Sequence, residues 1–242
     1  MKEYYWLNHK SRSFLSKGYL LPGQEAETRV RQIAEHAQKV LLNETDWNCD
    51  APEDIKEKIE WLKGFADLFE DYMKRGWFSL ASPVWANFGA GRGLPISCNG
   101  SYVDDTMESI LYTQAEIGML SKHGSGTSAY IGALRHRGAE VTGGNKTSGS
   151  IHLSRLFDNT TDVISQSGVR RGNCAIYLDI RHKDVEEMLQ LHEEGNAIQG
   201  LSFGICVDDA WLQEMKDGDA EKRKLWVKIF KKRFESGYPY II

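Results

Sequence analysis

Hydrophobic side chains repeat at helical spacing in the first third of the chain. Apolar residues recur along one face over residues 24–42 and again over residues 52–76, so each stretch predicts an amphipathic helix. Residues 1–23 lack this repeat, and we expect an irregular arm there. Residues 79–93 are rich in glycine and small side chains, and their proline disfavours helix at the residue before it. We therefore expect a loop in this last stretch.

The pattern changes after residue 93, where short apolar runs alternate with glycine-rich loops and helical stripes. This alternation predicts an α/β domain with a mainly parallel sheet. A helix over residues 150–164 is expected to turn Phe157 and Val163 inward. The first predicted strand contains Cys98, and the others lie near residues 126–132, 174–178, 201–207 and 238–242. The other predicted helices cover residues 105–122, 184–191, 209–215 and 222–235.

Composition excludes several functional classes. The 242 residues carry a net charge of −4, which gives no basic footprint for nucleic acid. Neither a membrane-spanning apolar run nor a signal peptide is recognisable, so we expect a cytoplasmic protein without membrane contact. The four cysteines lack metal-ligand spacing and are expected to be free thiols: Cys49, Cys98, Cys174 and Cys206.

One stretch, residues 95–105, combines groups that can do chemistry. Ser97 and Cys98 place a hydroxyl beside a thiol, and Asp104 and Asp105 follow after one short strand. A single cysteine is often a small buried apolar residue, and that interpretation stays open on these residues alone.

Three glycine-containing loops, residues 82–93, 124–126 and 165–173, are expected to converge with Cys98 at one end of the sheet, where α/β folds bind ligands. Their amides, hydroxyls and arginines suit phosphate groups. The loops match neither the P-loop nor the dinucleotide-binding fingerprint. A thiol beside such loops indicates redox or nucleophilic chemistry on a nucleotide.

Several spaced motifs occur together in one order along the chain. They are Ala81-Ser82-Pro83, Ser97-Cys98, Asp104-Asp105-Thr106-Met107-Glu108-Ser109-Ile110, Ser121-Lys122, Leu134-Arg135, the run from Ser165 to Gly172, Ala175-Ile176-Tyr177-Leu178 and Gly237-Tyr238-Pro239-Tyr240. Together these motifs resemble a known family, the catalytic large subunit of ribonucleoside-diphosphate reductase. The resemblance covers roughly residues 77–242 and implies a helical domain at 1–80 followed, at 81–242, by the first half of a ten-stranded α/β barrel, a parallel half-barrel.

The resemblance implies that Cys98 is one of two redox thiols that reduce the ribose 2′-carbon and become a disulfide. Ser82 and Ser97 would hydrogen-bond the substrate diphosphate, and a backbone group of Gly172 would meet the substrate. Cys49, Cys174 and Cys206 are expected to be structural.

The resemblance also implies allosteric control by a deoxynucleoside triphosphate or ATP. Gln166 and Arg170 lie in the loop that relays effector identity to the substrate base. The effector site, at an interface between two large subunits, would use Asp105, Thr106, Met107, Lys122, Arg135, Thr142 and Gly143.

The expected partners follow from the same family. They are a ribonucleotide substrate, a second large subunit, a metal-containing small subunit that supplies the radical, and thioredoxin or glutaredoxin. The family's radical-bearing cysteine lies after the Pro239-Tyr240 strand, so we expect this chain to be the N-terminal part of a reductase that needs the C-terminal half for turnover. Two alternatives stay open: an adenosylcobalamin-dependent reductase, and a non-catalytic nucleotide-sensing module.

Overall fold

The computed structural model describes residues 4–44, 53–164 and 172–242, and its contacts divide them into two compact units. The first unit ends at Ser97 and the second begins at Cys98. The boundary after residue 80 that the sequence suggests stays a prediction.

The first unit is helical in its described residues. Its helices are α1 (His9–Leu15), α2 (Ala26–Glu44), α3 (Glu53–Lys63), α4 (Phe65–Arg75) and α5 (Ser82–Asn87).

Three predictions for this unit were wrong in detail. The N-terminal arm contains α1, because the Asn8 side chain accepts hydrogen bonds from the amides of Lys10 and Ser11 and starts a helix. The single helix over residues 52–76 is interrupted at Gly64, which separates α3 from α4. The expected loop contains α5, because Pro83 falls in the first helical turn, where a missing N–H costs nothing.

A fully buried arginine fixes α5 against α2. The Arg29 guanidinium donates to the carbonyl oxygens of Trp85 at 2.8 Å and Phe88 at 2.7 Å, which lie at the C-terminal end of α5. Burial, with a smaller effect of Arg92, lowers the pKa of Arg29 to about 10, so it remains a cation at neutral pH. Helix α5, which begins at Ser82, is therefore fixed to α2 at its C-terminal end.

The second unit contains a five-stranded parallel sheet, which confirms the predicted fold class. The strands follow chain order across the sheet, β1 to β5. The elements are β1 (Cys98–Tyr102), α6 (Met107–Lys122), β2 (Gly126–Tyr130), α7 (Ser150–Leu153), α8 (Arg155–Val163), β3 (Cys174–Asp179), α9 (Val185–Met188), β4 (Ser202–Cys206), α10 (Asp209–Asp217), α11 (Ala220–Ser236) and β5 (Tyr240–Ile241).

The two faces of this sheet differ in character. Alternate residues such as Ile176, Leu178 and Ile205 are fully buried in the core shared with α6 and α8. The residues between them point to the other face, which is called the open face below.

Two helix predictions for this unit were also wrong in detail. The helix over residues 150–164 is broken at Ser154, whose hydroxyl bonds the Ser150 carbonyl at 2.9 Å. Val163 is 80% exposed rather than inward, because it is the last residue of α8 and points away from the core, whereas Phe157 is 1% exposed. The helix expected over residues 184–191 is limited to the short α9.

Replacing Phe157 by alanine should lower the free energy of unfolding of the second unit by about 3–5 kcal/mol, because it leaves a cavity in the core. Urea unfolding followed by circular dichroism would measure the change. Asn159→Ala on the exposed side of the same helix is the matched control and should stay within about 0.5 kcal/mol of the wild type. Equal effects of the two changes would contradict the packing described for α8.

Candidate functional site

Cys98 is the first residue of β1, and its side chain is exposed. Strand alternation places Cys98, Gly100 and Tyr102 on the open face. Ser101 points the other way, toward α6, where its hydroxyl donates to Glu116 Oε2 at 2.6 Å. The thiol therefore lies on the open face rather than in the core.

Small residues surround the thiol on this face. Residues paired across parallel strands share a face, and the register pairs Cys98 with Gly126 and Gly100 with Ser128. The second of these rows continues through Ala175 to Ser202. The result is a shallow floor of small side chains along the amino edge of the sheet, where another group can approach the backbone closely.

A row of tyrosines bounds this floor. Tyr102, Tyr130, Tyr177 and Tyr240 lie on one row of the register, in which Gly204 takes the place on β4 and leaves room for the Tyr177 ring. The rings of Tyr102 and Tyr130 stack with centroids 5.6 Å apart. Burial is the largest cause of the raised pKa values of Tyr130 and Tyr177, so these phenols stay protonated at neutral pH.

The amino edge also carries polar groups that sequence reasoning missed. The Asn99 amide donates to the Ser125 hydroxyl, and the Ser202 and Tyr238 hydroxyls lie 3.1 Å apart. Thr127 Oγ1 donates to the Asn173 carbonyl oxygen at 3.2 Å. In the sequence these are ordinary polar residues at the starts of separate strands, and only the strand register brings them to one edge.

The other described cysteines differ from Cys98 in access. Cys174 is fully buried on the core face, and burial raises its pKa to about 11. Cys206 is half-buried, and burial followed by the charge of Asp179 raises its pKa. Cys49 lies outside the described residues.

The predicted effector residues gather at the opposite, carboxyl edge of the sheet. Asp105 follows β1 and Arg135 follows β2, and the Arg135 Nε donates to Asp105 Oδ2 at 2.6 Å while its backbone N–H donates to Oδ1 at 3.2 Å. Thr106 caps α6 by accepting from the Ser109 amide at 3.1 Å, a role that threonine commonly has at the start of a helix. Met107 begins that helix and is 54% exposed.

Thr142 and Gly143 lie at the turn of a small hairpin formed by residues 138–149. The Val141 amide donates to the Asn145 carbonyl oxygen at 2.8 Å, and Gly143 has φ +93°, a conformation that favours glycine. Arg135 Nη1 donates to the Glu140 carbonyl oxygen at 2.8 Å. Arg135 therefore ties the stem of the hairpin to Asp105.

The structure does not bring Lys122 to this cluster. Lys122 ends α6, and 16 residues of helix place its backbone about 24 Å from the end that carries Met107. Because α6 runs from one edge of the sheet to the other, its two ends lie at opposite edges. Motif matching does not reveal this separation, because it takes no account of the direction of the helix.

The remaining predicted residues fall in different places. Gly172 packs so tightly that a Cβ there would lie 2.6 Å from the Thr161 carbonyl oxygen, so glycine is required for packing at this position. Ser82 begins α5, and Ser82 and Ser97 belong to the first unit, whereas Cys98 belongs to the second. Gln166 and Arg170 lie outside the described residues.

The sequence predicts that the ligand loops meet Cys98 at one end of the sheet, and α/β folds usually bind ligands at the carboxyl ends of the strands. The structure instead places Cys98 and residues 124–126 at the amino edge, because both come directly before or at the start of a strand. Within residues 4–44, 53–164 and 172–242, acidic, histidine and cysteine side chains form no group that could hold a metal ion. A helix long and apolar enough to cross a membrane is likewise absent from these ranges.

Comparison with known proteins identifies the family. A family model described as "Ribonucleotide reductase, barrel domain" matches residues 96–222, more than half of the chain. The alpha subunit of an Actinobacillus ureae class Id ribonucleotide reductase has a solved structure that matches 99% of this chain with a TM-score of 0.84 and 46% identity, and 41% of that subunit is covered.

Curated relatives point the same way. The ribonucleoside-diphosphate reductase large subunit of Invertebrate iridescent virus 6 is 29% identical over 198 residues, which are 71% of this chain and 20% of that protein. A vitamin B12-dependent ribonucleoside-diphosphate reductase of Mycobacterium tuberculosis is 29% identical over 158 residues, which are 64% of this chain and 22% of that protein. The chain spans about a fifth of the length of each of these two relatives. The protein belongs to the ribonucleotide reductase barrel-domain family.

Proposed function

We propose that this chain is part of the catalytic large subunit of a ribonucleoside-diphosphate reductase and supplies one of its two redox thiols, Cys98. The observation that carries the proposal is the exposed Cys98 thiol beside a floor of small side chains on the open face of the sheet. A structural cysteine would be expected in the core, where Cys174 lies.

The reaction needs a second thiol. Two thiols become one disulfide and deliver two electrons and two protons, so that the ribose 2′-hydroxyl leaves as water and hydrogen replaces it on the 2′-carbon. Cys174 faces the core side of the sheet. Cys206 lies three strands away and at the far end of its strand, so its distance from Cys98 exceeds the roughly 14 Å given by the usual strand spacing alone. A disulfide requires Cα atoms within about 7 Å. The second thiol is therefore proposed to come from the part of the large subunit that follows this chain.

The carboxyl edge is proposed to bind the nucleotide effector. Asp105 can accept a hydrogen bond from a ribose hydroxyl, and Arg135 can bind a phosphate through its forked donors. Both side chains are about one-third exposed and lie beside the hairpin that carries Thr142 and Gly143. Gln166 and Arg170 remain proposed as the specificity loop, and Ser82, Ser97 and Gly172 as substrate contacts.

A second large subunit is proposed to cover α6. Met107, Leu111 and Met119 form an exposed apolar stripe along this helix, and Tyr112 is 77% exposed beside it. Val163 at the end of the neighbouring α8 is also exposed. This surface starts next to Asp105, so the proposed effector site would lie at one end of the proposed interface. An effector at that position would contact both subunits.

The radical is proposed to come from a metal-containing small subunit, and thioredoxin or glutaredoxin to reduce the disulfide again. The 46% identity to a class Id alpha subunit over nearly the whole chain supports this choice over a B12-dependent reductase. The test is to assemble the complete enzyme and supply either a small subunit or adenosylcobalamin. Turnover with adenosylcobalamin alone would reverse the choice.

Alkylation should separate the three described cysteines. At pH 8, iodoacetamide should modify Cys98 fastest, Cys206 more slowly and Cys174 slowest. Cys174 is buried, and its raised pKa of about 11 keeps it in the unreactive thiol form at pH 8. Peptide mass spectrometry over time measures the three rates. Modification of Cys174 as fast as Cys98 would contradict the placement of these side chains.

Cys98→Ser should abolish multiple turnover in a reductase assembled by co-expressing this chain with the adjacent downstream reading frame. The loss should be at least about 100-fold, since a serine hydroxyl cannot form the disulfide. The assay is conversion of a ribonucleoside diphosphate with a dithiol reductant. Cys206→Ser is the control and should keep most activity. Unchanged turnover in Cys98→Ser would refute the redox role and would favour a nucleotide-sensing module.

Asp105→Asn should weaken binding of deoxynucleoside triphosphates by about 10- to 100-fold, because it removes a charge-assisted acceptor and the partner of Arg135. Calorimetric titration with dTTP, dGTP and dATP measures the affinities. The neighbouring Asp104→Asn is the matched control, since Asp104 is exposed and its side chain is outside the Arg135 pair. Equal affinities of the two variants would contradict the assignment.

A further inference from the structure

A buried carboxylate outside the predicted site joins the two ends of the hairpin formed by residues 138–149. Asp184 comes directly before α9 and is 4% exposed. An aspartate at this position commonly caps its own helix, but the Asp184 side chain makes no such bond. Its carboxylate is turned instead toward the segment that follows β2.

Both ends of the hairpin donate to this one carboxylate. The Arg137 amide lies 2.9 Å from Asp184 Oδ1, at the entry to the hairpin. The Ser150 amide and hydroxyl lie 3.0 Å and 2.9 Å from Oδ2, at its exit. Buried charge-assisted bonds of this kind are stronger than neutral ones, so they fix the base of the hairpin.

The two ends meet so closely that a side chain would not fit between them. A Cβ on Gly149 would lie 2.9 Å from the Arg137 Cα, and Gly149 has φ +91°, so glycine is needed here for both space and conformation. The loop is therefore closed at its base, and the Asp184 carboxylate bridges the closure.

Neighbouring groups reinforce the same attachment. The Arg137 side chain forms an ion pair with Glu187 on α9. His182 accepts from the Asp184 amide at Nδ1, 3.1 Å away, and its Nε2 lies 2.8 Å from the Leu134 carbonyl oxygen. These partners fit a neutral ring with its proton on Nε2. The segment from His182 to Glu187 thus holds the chain on both sides of Arg135.

We infer that Asp184 is a positioning residue for the effector site: it sets the base of the 138–149 hairpin, and so the placement of Thr142, Gly143 and Arg135 around the nucleotide. The inference rests on the effector role proposed above. Asp184 itself does not touch the nucleotide.

The test compares Asp184→Asn with the wild-type chain. Asparagine keeps the shape but brings an N–H₂ donor toward groups that are themselves donors. We expect dTTP affinity to fall about 10-fold, and hydrogen exchange of the amides from 137 to 150 to rise about 10-fold without nucleotide. Ser150→Ala, which removes one bond and keeps the carboxylate, should give a smaller loss. Glu186→Gln is the matched control, because Glu186 pairs with Lys228 on α11 rather than with the hairpin.

One further readout separates positioning from general loss of structure. The alkylation rate of buried Cys174 should stay at its wild-type value in Asp184→Asn, whereas unfolding would raise it. If Asp184→Asn unfolds, Ser150→Ala carries the test through the same two measurements. Wild-type dTTP affinity in Asp184→Asn, together with unchanged hydrogen exchange in the hairpin, would overturn this inference and leave the proposed effector site standing. A wild-type chain that binds no deoxynucleoside triphosphate would overturn the effector site and this inference with it.

Discussion

The arrangement of both candidate sites depends on the register of a parallel sheet. Parallel pairing gives every strand the same direction, so the residues that start strands lie at one edge and those that follow strands lie at the other. Cys98 starts β1 and Asp105 follows it. The five residues of β1 span about 17 Å, which separates the thiol from the Asp105–Arg135 pair. The proposed redox thiol and the proposed effector site therefore share one strand without sharing a binding site.

Burial explains why the two faces of the sheet and its carboxyl edge differ chemically. The core face is filled by aliphatic side chains and keeps Cys174 as an inert thiol. The open face keeps Cys98 accessible beside small residues, and further along the strands it carries the protonated phenols of Tyr130 and Tyr177. At the carboxyl edge, charged groups are paired rather than solvated alone: Asp105 with Arg135, and Asp184 with backbone donors of the hairpin. The hairpin is thus held by directional bonds, which would suit the proposed effector site, where similar nucleotides must be distinguished.

Local sequence signals predicted the elements whose cause is local. The helix predicted over residues 105–122 is present as α6, and Thr106, a residue type that commonly caps helices, caps it. Breaks such as Gly64 and Ser154 were missed, because each interrupts a hydrophobic stripe that continues on both sides. The parallel sheet followed from the alternation of strands and helices, whereas its register did not, since register depends on pairing between distant residues.

The same distinction applies to the site. Motif resemblance placed Asp105 and Arg135 together although they are 30 residues apart, and their ion pair agrees with that grouping. It also grouped Lys122 with them, which the length of α6 does not allow within one chain. Asp184 was missed altogether, because nothing in the sequence marks an aspartate that bonds the backbone 34 and 47 residues before it.

The most direct test of this arrangement is an NMR titration of the chain with dTTP. We expect the largest amide shifts at the carboxyl edge, at Asp105, Arg135 and Gly143, with Asn99 and Gly126 at the amino edge little changed. Largest shifts around Cys98 and Gly126, with the Asp105–Arg135 pair unaffected, would contradict the assignment of thiol and effector to opposite edges of the sheet.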